Sequence, residues 1–243
     1  MMRFLTKLNH NQQISQDIWL MSCDHHFNKP VLPGQFVMIK INKDFQLRHP
    51  FSIHRVDRDH FEIVYAVVGD FTGQMTSLQK GDYLDVIGPL GNGFTPDPQK
   101  SFLGIGGGMG VAPLAMFEHH HPRPQYLVGA KNKQQLVLEG LPESRTVIYT
   151  EDGSRGNKGL LTDYFNDIDL NDQGVFACGP EGMISKIVSI FRNSSCQLYI
   201  SLEAVMVCGL GACSGCVSPL LKEYVKVCQD GPVFKLEDFK IGS

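Results

Sequence analysis

Four cysteines late in the chain have the type and spacing to hold iron: Cys208-x4-Cys213-x2-Cys216-x11-Cys228. The first three match the C-x4-C-x2-C loop that ligates a [2Fe–2S] cluster, and a fourth cysteine follows further on. A loop that wraps a cluster must turn sharply and aim backbone N–H groups at sulfur. Gly209, Gly211 and Gly215 permit this, and Ala212 and Ser214 are small enough to leave room. A structural zinc site is the competing reading. Four-thiolate zinc usually shows two C-x2–4-C knuckles, and here only Cys213 and Cys216 form one. The chain has seven cysteines, an odd number crowded toward one end, unlike a secreted disulfide framework. That usage implies thiols that are reduced or metal-bound, in the cytoplasm.

A second chemistry is written in glycine. Gly104-Ile105-Gly106-Gly107-Gly108-Met109-Gly110 follows an apolar run and leads into a helical pattern. Gly106, Gly107, Gly108 and Gly110 would let a pyrophosphate approach the backbone at a helix start, where free N–H groups favour an anion. The spacing is not G-x-G-x-x-G, and a tight turn in an α/β sheet reads the same way. Cys178-Gly179-Pro180 is another strand-to-helix turn, and in a parallel sheet such turns share one crevice. Cys178 by itself reads equally as a core thiol. Asp152, in a third turn, could accept ribose hydroxyls or start an Asx turn.

These residues need elements to carry them. Residues 1–98 hold short β-branched and aromatic runs, 36–41, 51–56, 61–68 and 83–88, separated by turn residues. They predict an antiparallel β-barrel, with one short helix over 72–78. Residues 99–203 alternate strand signals (101–108, 125–130, 146–150, 174–179) with helix signals (111–121, 160–167, 180–193), which predicts a doubly wound parallel sheet that 196–203 could close. Pro113 is expected in the first turn of its helix. Residues 204–243 are too few to build much core alone, so a metal centre would serve as their staple. The formal charge of −3 argues against a nucleic-acid partner. No apolar run reaches the ~20 residues of a membrane span, and the first residues lack the apolar core of a signal peptide.

With these turns in order, the chain resembles the ferredoxin–NAD(P) reductase superfamily. Within it, the chain is similar to the electron-transfer subunits of class 1B dihydroorotate dehydrogenases. The resemblance is carried by Pro33 to Phe36, Leu47 to Ile53, Gly88 to Phe94, Gly106 to Pro113, Cys178 to Pro180, Cys208 to Cys216 and Val227 to Phe234. It implies FAD in the barrel, NAD on the α/β domain and a [2Fe–2S] cluster in the tail. It also implies an FMN-containing catalytic subunit as partner in a heterotetramer of two plus two, and a role in pyrimidine (UMP) biosynthesis. The flavin contacts it implies are His49, Pro50, Phe51 and Ser52, then Val64, Tyr65 and Ala66, then Thr72 and Gly73. No acid–base residue is implied, because the cofactors carry the chemistry.

Two positions depart from the superfamily pattern. His49 stands where arginine is usual, and Phe71 replaces a glycine beside Asp70. Arg48 is adjacent to His49 but points to the other face of a strand. Two alternatives remain open. One is a flavin and iron–sulfur NAD(P)H reductase subunit of a sulfhydrogenase, a sulfite reductase or a ferredoxin reductase. The other is a zinc-containing nucleotide-binding module without redox activity.

Overall fold

The computed structural model describes residues 2–41, 46–167 and 172–240. The first half is an antiparallel sheet of β1 (Met2–Ser15), β2 (Ile18–Asp24), β3 (Phe36–Lys40), β4 (His49–Ser52), β5 (Arg55–Val56), β6 (His60–Ala66) and β7 (Tyr83–Leu90). Its strand order is β4-β3-β7-β1-β2-β6-β5. The sheet curls until β4 and β6 line one cleft from two sides. α1 (Asp70–Met75) follows β6. Leu8, Met21, Val37, Ile39, Phe61, Ile63 and Val86 fill the interior.

No strand is predicted before residue 36, yet β1 and β2 form the middle of this sheet. β1 is long and polar, and its signal is alternation alone: Thr6 and Leu8 are buried, while Leu5 and Lys7 are exposed. The predicted run 51–56 is interrupted at Ile53 and His54 and splits into the end of β4 and β5.

The second half is a sheet of β8 (Phe102–Gly107), β9 (Gln125–Ala130), β10 (Thr146–Thr150), β11 (Asn157–Lys158), β12 (Gly174–Cys178), β13 (Gln197–Ser201) and β14 (Val233–Lys235). The order is β11-β10-β9-β8-β12-β13-β14, parallel except for β14. α2 (Glu181–Phe191) buries Ile184, Ile187 and Phe191 against one face. The segment Gly108–His119 covers the other face with Val111, Leu114 and Phe117. That segment starts at Gly108 and is wound as 3₁₀, so Pro113 lies within it rather than in a first turn. The glycines ahead of it are poor helix formers and Pro113 has no N–H to donate, so neither favours regular α winding.

The tail does not stand apart. β14 pairs antiparallel with β13, and α3 (Val227–Asp230) places Val227 and Cys228 in the same core as α2. The linker Gly88 to Phe94 ties all three parts together. Asn92 donates through Nδ2 to the carbonyls of Asp230 (3.0 Å) and Val233 (2.9 Å), and its Oδ1 accepts from the Val233 N–H (3.0 Å). Phe94 stacks on Tyr199 at 4.0 Å and packs beside Phe102, Phe117 and Phe176 in the α/β core.

Candidate functional site

A cleft of about 370 Å³ lies where the three parts meet. The barrel supplies His49, Pro50, Phe51 and Ser52 from β4, Val64, Tyr65 and Ala66 from β6, and Thr72 from α1. Met109 within the glycine loop and Ala112 just after it reach the cleft, as do Met206 and Pro232 from the tail. A cavity of about 500 Å³ lies elsewhere, against Cys196 to Tyr199 at the start of β13. It contains none of the predicted site residues. The smaller cleft meets Ser201 to Ala204 at the carboxyl end of β13, the end at which open parallel sheets bind ligands.

Aromatic rings pack around the β4 end of the cleft. His49 stacks on Phe71 with centroids 3.9 Å apart and planes 20° from parallel. Phe51 lies 6.2 Å from Phe71, and 6.2 Å from Tyr65 in an edge contact. Burial pushes the His49 imidazole below its ordinary pKa and favours its neutral form. Arg48 does not replace the missing charge, because its guanidinium is committed to Asp85, which also binds Arg3 at 2.7 Å. Against the effect of burial, those two cations hold the Asp85 carboxyl below its usual range. The two departures from the superfamily pattern, His49 and Phe71, are therefore one packed pair.

Thr72 has a structural task. Its Oγ1 accepts the N–H groups of Val68 (2.9 Å) and Gly69 (3.2 Å) and closes the start of α1. Gly73 stands outside the cleft wall, and its N–H is spent on the Gly69 carbonyl at 2.8 Å. Glu203 is a residue that sequence reasoning missed. It lines the cleft, and burial raises its carboxyl pKa although the residue as a whole remains solvent-accessible. Only its place after an apolar strand hinted at this position.

The glycine loop and the Cys178 turn are brought into contact. A Cβ on Gly110 would lie 2.2 Å from the Cys178 carbonyl oxygen, and one on Gly107 would lie 2.5 Å from Met183 Sδ. Gly106 abuts Val111 and Leu114. Close packing thus accounts for three of these glycines. Gly108, with φ +53°, has nothing within 4 Å and faces open space. Gly179 has φ +156°, which few other residues adopt, and touches Met183 and the Gly107 backbone. Cys178 is buried and its thiol pKa is pushed well up by burial, so it is not a nucleophile. Pro180 precedes α2. Asp152 is exposed after β10, and its Oδ1 accepts the Ser154 N–H at 2.9 Å as in an Asx turn.

The four C-terminal cysteines lie in the tail, two of them in the core that also holds α2. Cys216 and Cys228 are buried, Cys208 is half-buried and Cys213 is exposed. Backbone N–H groups point at sulfur: Leu210 to Cys208 (3.4 Å), Gly211 to Cys228 (3.2 Å) and Cys228 to Cys216 (3.4 Å). Burial opposes ionisation of Cys208, yet the N–H groups of Leu210, Cys213 and Ala212 help lower its pKa to about 6. Gly209 (φ +67°), Gly211 (φ +78°) and Ser214 (φ +55°) take the left-handed positions, so the third one falls on Ser214 rather than on Gly215. Among the described residues no three His, Cys, Asp or Glu side chains close to the spacing of a single metal ion. The fit to a cluster rests on four thiols, their spacing and the N–H donors.

An antiparallel barrel joined to a parallel nucleotide-type sheet is the fold of the ferredoxin reductases. The NADH-dependent reduced ferredoxin-NADP oxidoreductase superposes with a TM-score of 0.85 at 26% identity, over 98% of this chain and 90% of that one. Phthalate dioxygenase reductase, at 14% identity and TM-score 0.65, shares the fold. The family model for the iron-sulfur cluster binding domain of dihydroorotate dehydrogenase B matches residues 203–240. The dihydroorotate dehydrogenase B (NAD(+)) electron transfer subunit of Caldanaerobacter subterraneus subsp. tengcongensis is 34% identical over 94% of both chains. That of Fusobacterium nucleatum is 35% identical over 95% of this chain and 96% of its own. This chain belongs to the family of dihydroorotate dehydrogenase B electron transfer subunits.

Proposed function

We propose that this protein relays electrons between an FMN-containing dihydroorotate dehydrogenase catalytic subunit and NAD+, through a [2Fe–2S] cluster and FAD, in pyrimidine (UMP) biosynthesis in the cytoplasm. The observation that carries this reading is the single cleft walled by the barrel, the nucleotide loop and the cluster tail together. When bound, FAD exchanges a hydride with nicotinamide and the cluster carries single electrons.

The chain's own task is to hold and space these groups. Pro50, Phe51, Ser52, Val64, Tyr65 and Ala66 wall the flavin ring, with His49 held flat by Phe71. Gly108, next to the packed Cys178 to Pro180 turn, leaves backbone open for a dinucleotide phosphate, and Asp152 stands two strands away for a ribose. Cys208, Cys213, Cys216 and Cys228 ligate iron. Residues 1–98 form the flavin domain and 99–203 the nucleotide domain, and 204–243 carry the cluster as a tail packed into the nucleotide domain. A chain of this family works with a catalytic subunit, and the assembly we propose is two plus two. Val205, Val207 and Leu210, all exposed beside Cys208, are the apolar surface through which electrons would pass outward.

Purification from the native cell tests the reading. Recovery of an FMN-containing partner, with NAD+-dependent oxidation of dihydroorotate by the complex, is expected. A hydrogenase or sulfite reductase as partner would overturn the pyrimidine assignment and leave the cofactors standing.

A further inference from the structure

One side chain joins the flavin strand to the cluster loop. Met38 lies on β3, fully buried, opposite Pro50 of β4 and Ile87 of β7. Val37 and Ile39, on either side of it, belong to the barrel interior, so Met38 is turned to the other face. There it shares a buried cluster with Cys216 and Cys228. A Cβ on Gly209 would lie 2.6 Å from Met38 Cγ, 2.8 Å from Sδ and 3.2 Å from Cε. The whole thioether therefore lies along the residue that follows Cys208. Directly opposed residues of neighbouring strands have adjacent side chains. Met38 thus touches Gly209 on one side and neighbours Pro50, a wall of the flavin cleft, on the other.

We propose that Met38 is a positioning residue for the cluster. It fixes the cluster loop against the flavin strand and keeps water and polar groups out of the space behind Cys208. The proposal rests on the iron–sulfur reading of the four cysteines. A flexible, polarisable thioether fills an irregular gap of this kind. Solvent access and hydrogen bonds to sulfur set the potential of such clusters. Reduction adds negative charge, so a polar group placed there favours the reduced form.

The test is a redox titration of the whole chain, followed by paramagnetic resonance, for wild type, Met38→Leu and Met38→Gln. Iron and flavin contents are measured alongside. At the wild-type midpoint, Met38→Gln is expected to hold at least three reduced clusters per oxidised one. That ratio equals a positive shift of about 28 mV at 59 mV per tenfold. Met38→Leu is expected to match wild type. Should Met38→Gln fail to fold, Met38→Ala carries the same expected sign, because water enters the vacated space. A fully loaded Met38→Gln with an unchanged midpoint overturns the proposal, and so does an equal shift in Met38→Leu. Absence of iron from the wild type would instead overturn the cluster reading itself.

Discussion

Replacing Asn92 by alanine should loosen the cluster tail from the rest of the molecule. The side chain makes three hydrogen bonds to Asp230 and Val233, at 2.9 to 3.0 Å. Each contributes about 1 kcal/mol net. One is exposed, so water replaces it readily, and the expected loss is about 2 kcal/mol. In a chain of this size that lowers the melting temperature by roughly 4–8 °C. Asn92→Asp should lose at least as much. It keeps an acceptor for the Val233 N–H but turns a carboxylate toward two carbonyl oxygens. Thermal denaturation gives the magnitude, and hydrogen exchange gives the location: amides of 227–240 should exchange faster than those of the barrel. A melting temperature within about 1 °C of wild type, with unchanged exchange in the tail, would refute the clasp.

Cys213→Ser should lose iron and the signal of the reduced cluster, and unchanged iron would remove Cys213 as a ligand. Gly110→Ala places a Cβ 2.2 Å from the Cys178 carbonyl oxygen. It should part the two turns and weaken NADH binding tenfold or more in a fluorescence titration, and unaltered affinity would separate this contact from the nucleotide site. His54 is fully buried, with Nδ1 2.6 Å from the Ala112 carbonyl, and burial pushes its pKa down to about 4. The unfolded chain binds that proton near pH 6.5. Its contribution is intact above pH 6.5 and declines as pH falls toward 4, by about 2 kcal/mol at pH 5. Denaturant titrations of His54→Gln should therefore depend less on pH between 6.5 and 5 than those of wild type, whereas parallel curves would contradict the assignment.

Most of the site was legible because its chemistry is local in sequence. The cluster loop packs thiols and glycines into nine residues, Cys208 to Cys216, and the structure brings them together. The residues on β4 and β6 that the resemblance assigns to flavin line one cleft, and they meet only because the sheet curls. What stayed hidden depends on long-range contact. β1 draws its stability from pairing with β2 and β7 rather than from β-branched residues. β14 reads as part of a loop until β13 offers it an edge. The His49–Phe71 stack joins two positions that look like separate defects in the text. The glycine loop shows the opposite effect. It reads as a phosphate cradle, but helix and strand packing explain Gly106, Gly107 and Gly110, which leaves Gly108 as the open position.

Anaerobic titration of the purified chain with NADH, followed by absorbance, paramagnetic resonance and metal analysis, tests electron relay most directly. The expected result is two irons and one FAD per chain, with flavin bleaching and a [2Fe–2S] signal that grow together as NADH is added. A colourless protein with stoichiometric zinc, no flavin and no response to NADH would contradict it.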